Sequence, residues 1–353
     1  MSKFFSEKYA TLSPYVPGEQ PKEREYVKLN TNESPFPPSP LAVKLAEEEL
    51  KKSHLYCDPE CKVLVHTASE YFRTNEDEIL FTNGSDEILN FAFMAYCDKN
   101  TPAVFPNISY GFYRVFAEIN GVPYREIPLK DDFSINIEDY FNAKGTIFIA
   151  NPNAPTGIAL TPLEIEKILQ NNSENVVVID EAYVDFGGES VISLIKKYDN
   201  LLVTQTFSKS RSMAGARLGF GAANKDIIND LKNVKYSTNP YNVNRATAAA
   251  GVGAITDDEY FKKNCLEIIA NRERLTKELK ALGFTATQSQ TNFVFVKSNK
   301  IGGKDLYLQL KKRGILVRHF DKEQIKDYNR ITVGNSEQID ALLTAVKDIL
   351  EVK

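Results

Sequence analysis

The chain predicts an α/β fold: a mainly parallel central sheet with helices on both faces, accompanied by a smaller α+β domain. Three features carry that expectation. Short apolar strands alternate with amphipathic helical segments between residues 79 and 206. Val176 to Ile179 is an unbroken apolar run, as in a strand covered on both faces. After Ala254 the pattern changes to a long charged helix followed by shorter strands and helices.

Residues 1–40 are expected to be an N-terminal arm joining the small domain, because six prolines between Pro14 and Pro38 exclude long helices there. A large domain is expected over 41–255. It opens with helical periodicity from Leu41 to Lys52, a loop from His54 to Glu60 and a helical stretch from Thr67 to Phe72. Ile79 to Thr82 reads as a strand that runs into Asn83-Gly84-Ser85-Asp86 ahead of an apolar helix over Glu87 to Tyr96. Further strands are expected at Ala103 to Phe105, Val122 to Ile127, Thr146 to Ala150, Val176 to Asp180 and Leu201 to Thr206. Helices fall between them at Tyr110 to Glu118, Leu163 to Asn171 and Val191 to Lys197. Thr161-Pro162-Leu163-Glu164 reads as a capping box with proline at the first helical position. The small domain, 256–353, reads as a helix over Asp257 to Leu282, a strand at Asn292 to Val296 and a helix at Asp305 to Lys312. Strands at Ile315 to Arg318 and Arg330 to Val333 follow, then a helix from Gln338 to Leu350.

Composition narrows the function classes. The 353 residues carry 43 basic and 47 acidic side chains, a net charge of −4, with no block of like charge. That excludes a nucleic-acid face or a membrane-surface patch. No signal-peptide core and no run of about eighteen apolar residues is present, so a cytoplasmic protein is expected. Four cysteines are too few for a disulfide scaffold in a chain of this length. His54, Cys57 and Cys61 lie close together, but their spacing is not that of a zinc site, and no metal is expected.

Chemistry concentrates in Thr204 to Gly221, TQTFSKSRSMAGARLGFG. Lys209 follows Thr206 and Ser208 at a strand exit with Arg211 and Arg217 nearby, a setting that suits a Schiff-base amine. The strand, glycine turn and helix around Gly84, Ser85 and Asp86 form an anion cradle, since free amides face outward at a helix N-terminus. Asp180 ends the VVVID strand, where a buried carboxylate would keep a pyridine nitrogen protonated, and Tyr183 would reach the 3-hydroxyl of such a ring. Tyr110 offers a ring to stack on an aromatic cofactor, and the loop Asn151 to Gly157 a rigid set of amides. Each feature alone has a commoner explanation, as surface lysine, helix cap or core aromatic. Together they follow strand C-termini, where open α/β sheets bind ligands.

The ordered set N-P-N-A-P-T-G, D-E-A-Y and S-K-x4-A-G-x-R-x-G resembles the fold type I pyridoxal-phosphate aminotransferases over essentially the whole chain. The segments PYVPG and LNTNESP, the loop Tyr56 to Pro59 and the ending Arg330-Ile331-Thr332-Val333-Gly334 are similar to the histidinol-phosphate aminotransferase family within them. The resemblance implies pyridoxal 5′-phosphate as cofactor, bound as a Schiff base to Lys209, which then also transfers the substrate proton. Asp180 would pair with the ring nitrogen, Tyr183 with the phenolic oxygen, and Tyr110 would stack on the ring. Ser85, Asp86 through its amide, Thr206, Ser208 and Arg217 would hold the phosphate beside Gly84. Tyr56 would reach the phosphate in a neighbouring subunit, which implies a homodimer. Arg330 would clamp a carboxylate, with Arg318, Tyr15 and Asn32 completing the substrate side.

One position departs from the family pattern: Ala154 stands where an asparagine usually precedes Pro-Thr-Gly, and either Asn153 substitutes for it or Tyr183 acts alone. The implied reaction is a ping-pong exchange between glutamate and a phosphorylated imidazole compound. An aromatic amino acid aminotransferase, a decarboxylase of a phosphorylated amino acid and a non-catalytic cofactor-binding regulator remain alternatives.

Overall fold

The arm contributes the first strand, β1 (Val27–Lys28), and helices α1 (Pro40–Leu50) and α2 (Lys62–Phe72) follow. In chain order the large sheet is then built from β2 (Ile79–Thr82), α3 (Ser85–Tyr96), β3 (Ala103–Pro106), α4 (Phe112–Asn120), β4 (Tyr124–Ile127), β5 (Thr146–Ala150), α5 (Pro162–Gln170), β6 (Val177–Asp180), β7 (Leu201–Thr206) and β8 (Gly219–Ala223). Helices α6 (Lys225–Thr238) and α7 (Arg245–Thr256) close this part of the chain. The structure, a computed structural model, describes residues 2–351 except Thr11, Pro14 and Lys22; those three lie in the expected arm and Val352 and Lys353 in the expected small domain.

The seven strands lie in the order β2-β8-β7-β6-β5-β3-β4. Every neighbouring pair is parallel except those of β8, which runs antiparallel to both β2 and β7. The apolar run at Val177–Asp180 sits near the middle, and its side chains divide between two cores. Val177 and Ile179 join one face with Leu201 and Val203, while Val178 packs on the other with Leu202, Phe93 and Phe148. Two-sided burial is the reason the strand shows no polar alternation.

In the large domain three elements depart from the sequence expectation. Strand β8, Gly-Phe-Gly-Ala-Ala, has no β-branched residue and is a strand because two neighbours pair with it. Helix α7, RATAAAGVGAIT, buries small residues on several sides and so lacks the periodicity of a surface helix. The expected helix at Val191 to Lys197 is a short 3₁₀ turn over Ile192–Lys196.

The C-terminal part consists of α8 (Asp258–Ala281), β9 (Phe284–Ala286), β10 (Phe293–Ser298), α9 (Gly303–Lys312), β11 (Ile315–Leu316), β12 (Arg318–His319), β13 (Tyr328–Thr332) and α10 (Ser336–Ile349). Strands β12-β13-β10-β9 form an antiparallel sheet, and β1 pairs with β11 in parallel. Leu29, directly after β1, is buried in the same core as Val294, Ile331 and Leu342. Arg24 donates to the carbonyls of Lys311 (2.5 Å) and Lys312 (3.0 Å) at the end of α9, where a cation meets the negative end of the helix dipole. Further back, Tyr15 of the arm packs on Phe112 of α4, with ring centroids 4.4 Å apart. No helix among the described residues is long and apolar enough to cross a membrane.

Helices α1 and α7 pack through Gly253, where an added Cβ would stand 2.6 Å from the Ala42 backbone. Helix propensity favours alanine over glycine by about 1 kcal/mol, whereas overpacking a closed contact costs about 1–3 kcal/mol. Packing therefore decides the sign. Gly253→Ala is expected to lower the melting temperature, while Gly215→Ala, which meets nothing within 4 Å, leaves it nearly unchanged. Thermal unfolding of the two variants checks this, and an unchanged or raised value for Gly253→Ala contradicts it.

Candidate active site

Lys209 lies on the loop that leaves β7, at the junction of two adjoining cavities. The smaller, about 200 Å³, is lined by Ser85, Asp86, Asp180, Thr206, Ser208 and Arg217. The larger, about 470 Å³, is lined by Tyr15, Asn32, Arg318 and Arg330. Thr31, Tyr110, Ala154, Tyr183 and Lys209 belong to both. The Lys209 ammonium donates to the Thr31 carbonyl at 3.3 Å and stands 5.8 Å from the centre of the Tyr183 ring.

The walls of the smaller cavity follow from the chain's turns. Gly84 adopts φ +77° before the first residue of α3, and no side chain caps that helix. Its missing Cβ leaves room for the Arg217 guanidinium, which a Cβ would meet at 2.6 Å. Arg217 itself is left-handed, φ +57°, and donates to Asp86 Oδ2 at 3.1 Å. Asp86 Oδ1 accepts the Tyr110 hydroxyl at 2.7 Å. The Thr206 and Ser208 hydroxyls lie 3.0 Å apart and face the same space.

Asp180 closes the floor. Its Oδ2 accepts the Tyr113 hydroxyl at 3.1 Å and its Oδ1 the Ala182 amide at 3.2 Å. Burial pushes its carboxyl up to about 7, against the pull of the Tyr113 hydrogen bond. Tyr113 went unread in the sequence. Its signal was the i, i+3 spacing from Tyr110, the two rings meeting edge to face at 5.7 Å. The next residue, Glu181, is also raised to about 7 by burial, yet it accepts from Ser190, the Val191 amide and Gln205 and so anchors the loop behind the site.

Arg330, on β13, projects into the larger cavity between the rings of Phe293 and Phe320, 5.3 and 5.8 Å away. It donates to the Asn30 carbonyl at 3.1 Å, while its Nε is buried without a partner among the described residues. Burial pushes its pKa down. A cation in this state fits an absent anionic ligand.

Four residues make contacts other than those the sequence suggests. Asn153 lines neither cavity. Its Oδ1 accepts from Ser109 (2.8 Å) and its Nδ2 donates to Ile108 O (2.9 Å) and Thr156 Oγ1 (3.0 Å), so the amide braces its own loop and Ala154 faces the site. Arg211 turns away from Lys209, donating to the Ala254 carbonyl and lying 4.0 Å over the Phe261 ring. Arg318 lines the larger cavity but donates to the carbonyls of Val16 (3.2 Å) and Pro17 (3.3 Å), so it holds the arm. The Asn32 side chain lines the larger cavity and bonds Tyr183 and Thr332. Tyr56 lies outside both cavities, 81 % exposed and stacked on Tyr241 at 4.7 Å. All four cysteines are free thiols, and no metal-holding cluster of His, Cys, Asp and Glu occurs among the described residues.

A lysine at the C-terminal edge of a mainly parallel sheet, in a cavity shared with a buried carboxylate, a helix N-terminus, two hydroxyls and an arginine, suits a class of enzyme that works through an amine-binding phosphorylated cofactor. The chain belongs to the family described as aminotransferase class I and II, whose sequence profile matches residues 24–346. It is 48 % identical over 353 residues to a histidinol-phosphate aminotransferase of Brachyspira hyodysenteriae, covering 99 % of this chain and all of that protein. A histidinol-phosphate aminotransferase of Clostridium beijerinckii is 44 % identical over 351 residues, covering 99 % of this chain and 98 % of that one. A solved histidinol-phosphate aminotransferase from Sinorhizobium meliloti, in complex with pyridoxal 5′-phosphate, shares the fold with a TM-score of 0.91 at 22 % identity, over 99 % of this chain and 98 % of that chain.

The raised carboxyl of Asp180 has a stability consequence with a definite sign. Its folded value of about 7 lies above the ordinary 3.8, so its stabilising share is complete below 3.8 and is lost as pH rises to about 7. Above that, the cofactor-free fold carries an ionised, buried carboxylate at a constant cost of a few kcal/mol, accumulated at about 1.4 for each pH unit between the two values. Asp180→Asn should therefore stabilise the cofactor-free protein more at pH 8 than at pH 5. Denaturant unfolding at both values decides it; an equal effect at the two pH values refutes the assignment.

Proposed function

We propose that the chain exchanges an amino group between glutamate and imidazole-acetol phosphate, giving histidinol phosphate and 2-oxoglutarate in a ping-pong reaction of histidine biosynthesis. The observation that carries this reading is the position of Lys209 between the cavity at the start of α3, which holds Ser85, Thr206, Ser208 and Arg217, and a second cavity holding Arg330. Identity of 42–48 % to proteins named for this activity, along essentially their whole length, supports the choice of substrate.

Pyridoxal 5′-phosphate, when bound, supplies an aldehyde that condenses with amines and a ring that withdraws electrons from the adjacent C–H bond. The residues around it fit. Amides at the start of α3 with Ser85, Thr206, Ser208 and Arg217 would hold the phosphate, because an anion at a helix N-terminus meets unsatisfied donors. Asp180 would protonate and hold the ring nitrogen, which converts its costly buried charge into an ion pair. Tyr110 would lie against the ring and Tyr183 would face the 3-oxygen. Lys209 would bind the aldehyde and, once the substrate amine had displaced it, would carry the substrate Cα proton to the cofactor's aldehyde carbon, a role that contributes about 10²- to 10⁴-fold in rate.

The substrate cavity must accept a phosphate monoester in one half-reaction and a carboxylate in the other. A guanidinium fork can donate to both, and Arg330 has an unmet Nε donor. Arg318 and Tyr15 would act by holding the arm across the opening. Spectral changes of the bound cofactor on adding histidinol phosphate, glutamate or phenylalanine test the assignment. Conversion by the first two and not by phenylalanine is expected; a faster response to phenylalanine makes it an aromatic aminotransferase.

A homodimer is part of the proposal. Tyr56 is exposed, as are Leu50, Leu55 and Val63 near it in sequence, and exposed apolar residues of this kind suit burial against a second copy. If Tyr56 serves the neighbour's cofactor phosphate, a mixture of Tyr56→Ala and Lys209→Ala subunits, each inactive or nearly so, regains activity on exchange. One hybrid site then has both residues intact. No recovery in verified hybrids places Tyr56 outside the neighbour's site.

A further inference from the structure

Three consecutive residues at the inner end of the arm touch three side chains of the proposed site. Asn30 offers its carbonyl to Arg330 at 3.1 Å, Thr31 its carbonyl to Lys209 at 3.3 Å, and Asn32 donates Nδ2 to Tyr183 Oη at 2.9 Å. The last contact differs in kind. It is made by a side chain that donates, and it reaches a hydroxyl whose single proton can be directed.

The geometry points to Asn32 as a positioning residue: by donating to Tyr183 Oη it turns the phenol proton toward the oxygen of the aromatic cofactor that Tyr183 faces. This rests on the cofactor reading above. A phenol has one proton and accepts through its lone pairs. With Asn32 filling an acceptor site, the O–H is left to point into the cavity. The amide orientation follows from its other neighbour. Thr332 Oγ1 accepts the Asn32 backbone N–H at 2.9 Å and lies 3.1 Å from Asn32 Oδ1, to which it donates. A flipped amide would leave the buried Thr332 proton without an acceptor among its described contacts.

The backbone is held as firmly. Asn32 is buried in the left-handed region, φ +57°, which asparagine tolerates better than most residues. Its carbonyl accepts Asn292 Nδ2 at 3.0 Å. On the far side, the Tyr183 ring meets Phe293 edge to face at 5.1 Å. Both partners of the 2.9 Å contact are therefore fixed independently of it. With Ala154 presenting only a methyl to the site, the direction of the Tyr183 proton carries more of the work there.

Two variants separate the roles. Asn32→Gly removes the amide and keeps the positive φ at no strain; Asn32→Asp keeps the shape and removes the donor. The readout is the pH at which the absorption of the cofactor bound to the intact enzyme changes, measured for each variant in the native and Tyr183→Phe backgrounds. A donor to the cofactor oxygen favours the proton-poor form, in which that oxygen carries most charge. Loss of alignment should move the transition to higher pH by about one unit. With Tyr183→Phe already present, Asn32→Gly should add nothing, as expected when one residue acts through the other. An unchanged transition, the same shift in both backgrounds, or only a raised KM for glutamate overturns the inference, the last making Asn32 a substrate contact. A native protein with no cofactor absorption at all overturns the underlying cofactor reading instead.

Discussion

Gly219 has no room for one more carbon. A Cβ there would lie 2.3 Å from the Ser85 amide nitrogen, because β8 passes directly under the start of α3. In register it sits opposite Thr82 of β2 and Thr206 of β7, so one row of the sheet joins the anion cradle to the strand that feeds the lysine loop. The loop from Phe207 to Leu218 is closed on itself by Phe207 N to Leu218 O and Met213 N to Phe207 O, both 2.9 Å. Lys209, Ser208 and Arg217 thus ride on a short closed excursion from a fixed row. A side chain at 219 would push the cradle and the lysine apart.

The electrostatics are arranged for absent charges. Asp180 is held where burial disfavours its charge, and Arg330 where burial disfavours its own. Neither has an oppositely charged partner in an ion pair among the described residues. In a purely structural core such groups would be replaced or paired. Glu181 illustrates the contrast: equally buried, it accepts three hydrogen bonds and serves as a structural anchor. A cationic ring nitrogen and an anionic substrate group would relieve both strains, so binding stabilises the fold as well as preparing the chemistry.

The arm connects these groups mechanically. Its strand β1 pairs with β11, Leu29 enters the C-terminal core, and Asn30 to Asn32 then run past Arg330, Lys209 and Tyr183. Tyr15 and the Arg318 contacts carry the earlier part of the arm across the cavity toward α4. A movement of the C-terminal part relative to the sheet would therefore be felt at the lysine through backbone carbonyls.

Local patterns were enough for much of this. The parallel sheet was legible because Val177, Val178 and Ile179 are apolar without alternation, and the candidate site because Gly84, Asp180 and Lys209 each stand at or just past a strand end. Residue order alone also carried the family. Strand β8 and helix α7 were not legible, since Gly and Ala have weak preferences and take their structure from neighbours. Nor was the direction of any side chain. Asn153 and Ala154 are adjacent, yet only packing determines which faces the cavity, and it is Ala154. Asn32 is expected on the substrate side, and only Thr332, 300 positions away, turns its amide toward Tyr183. By itself the sequence determined which chemical groups are present and which strand ends bear them, because those depend on short-range pattern. Tertiary structure decided which groups meet and which way each proton points, because those depend on contacts between residues hundreds of positions apart.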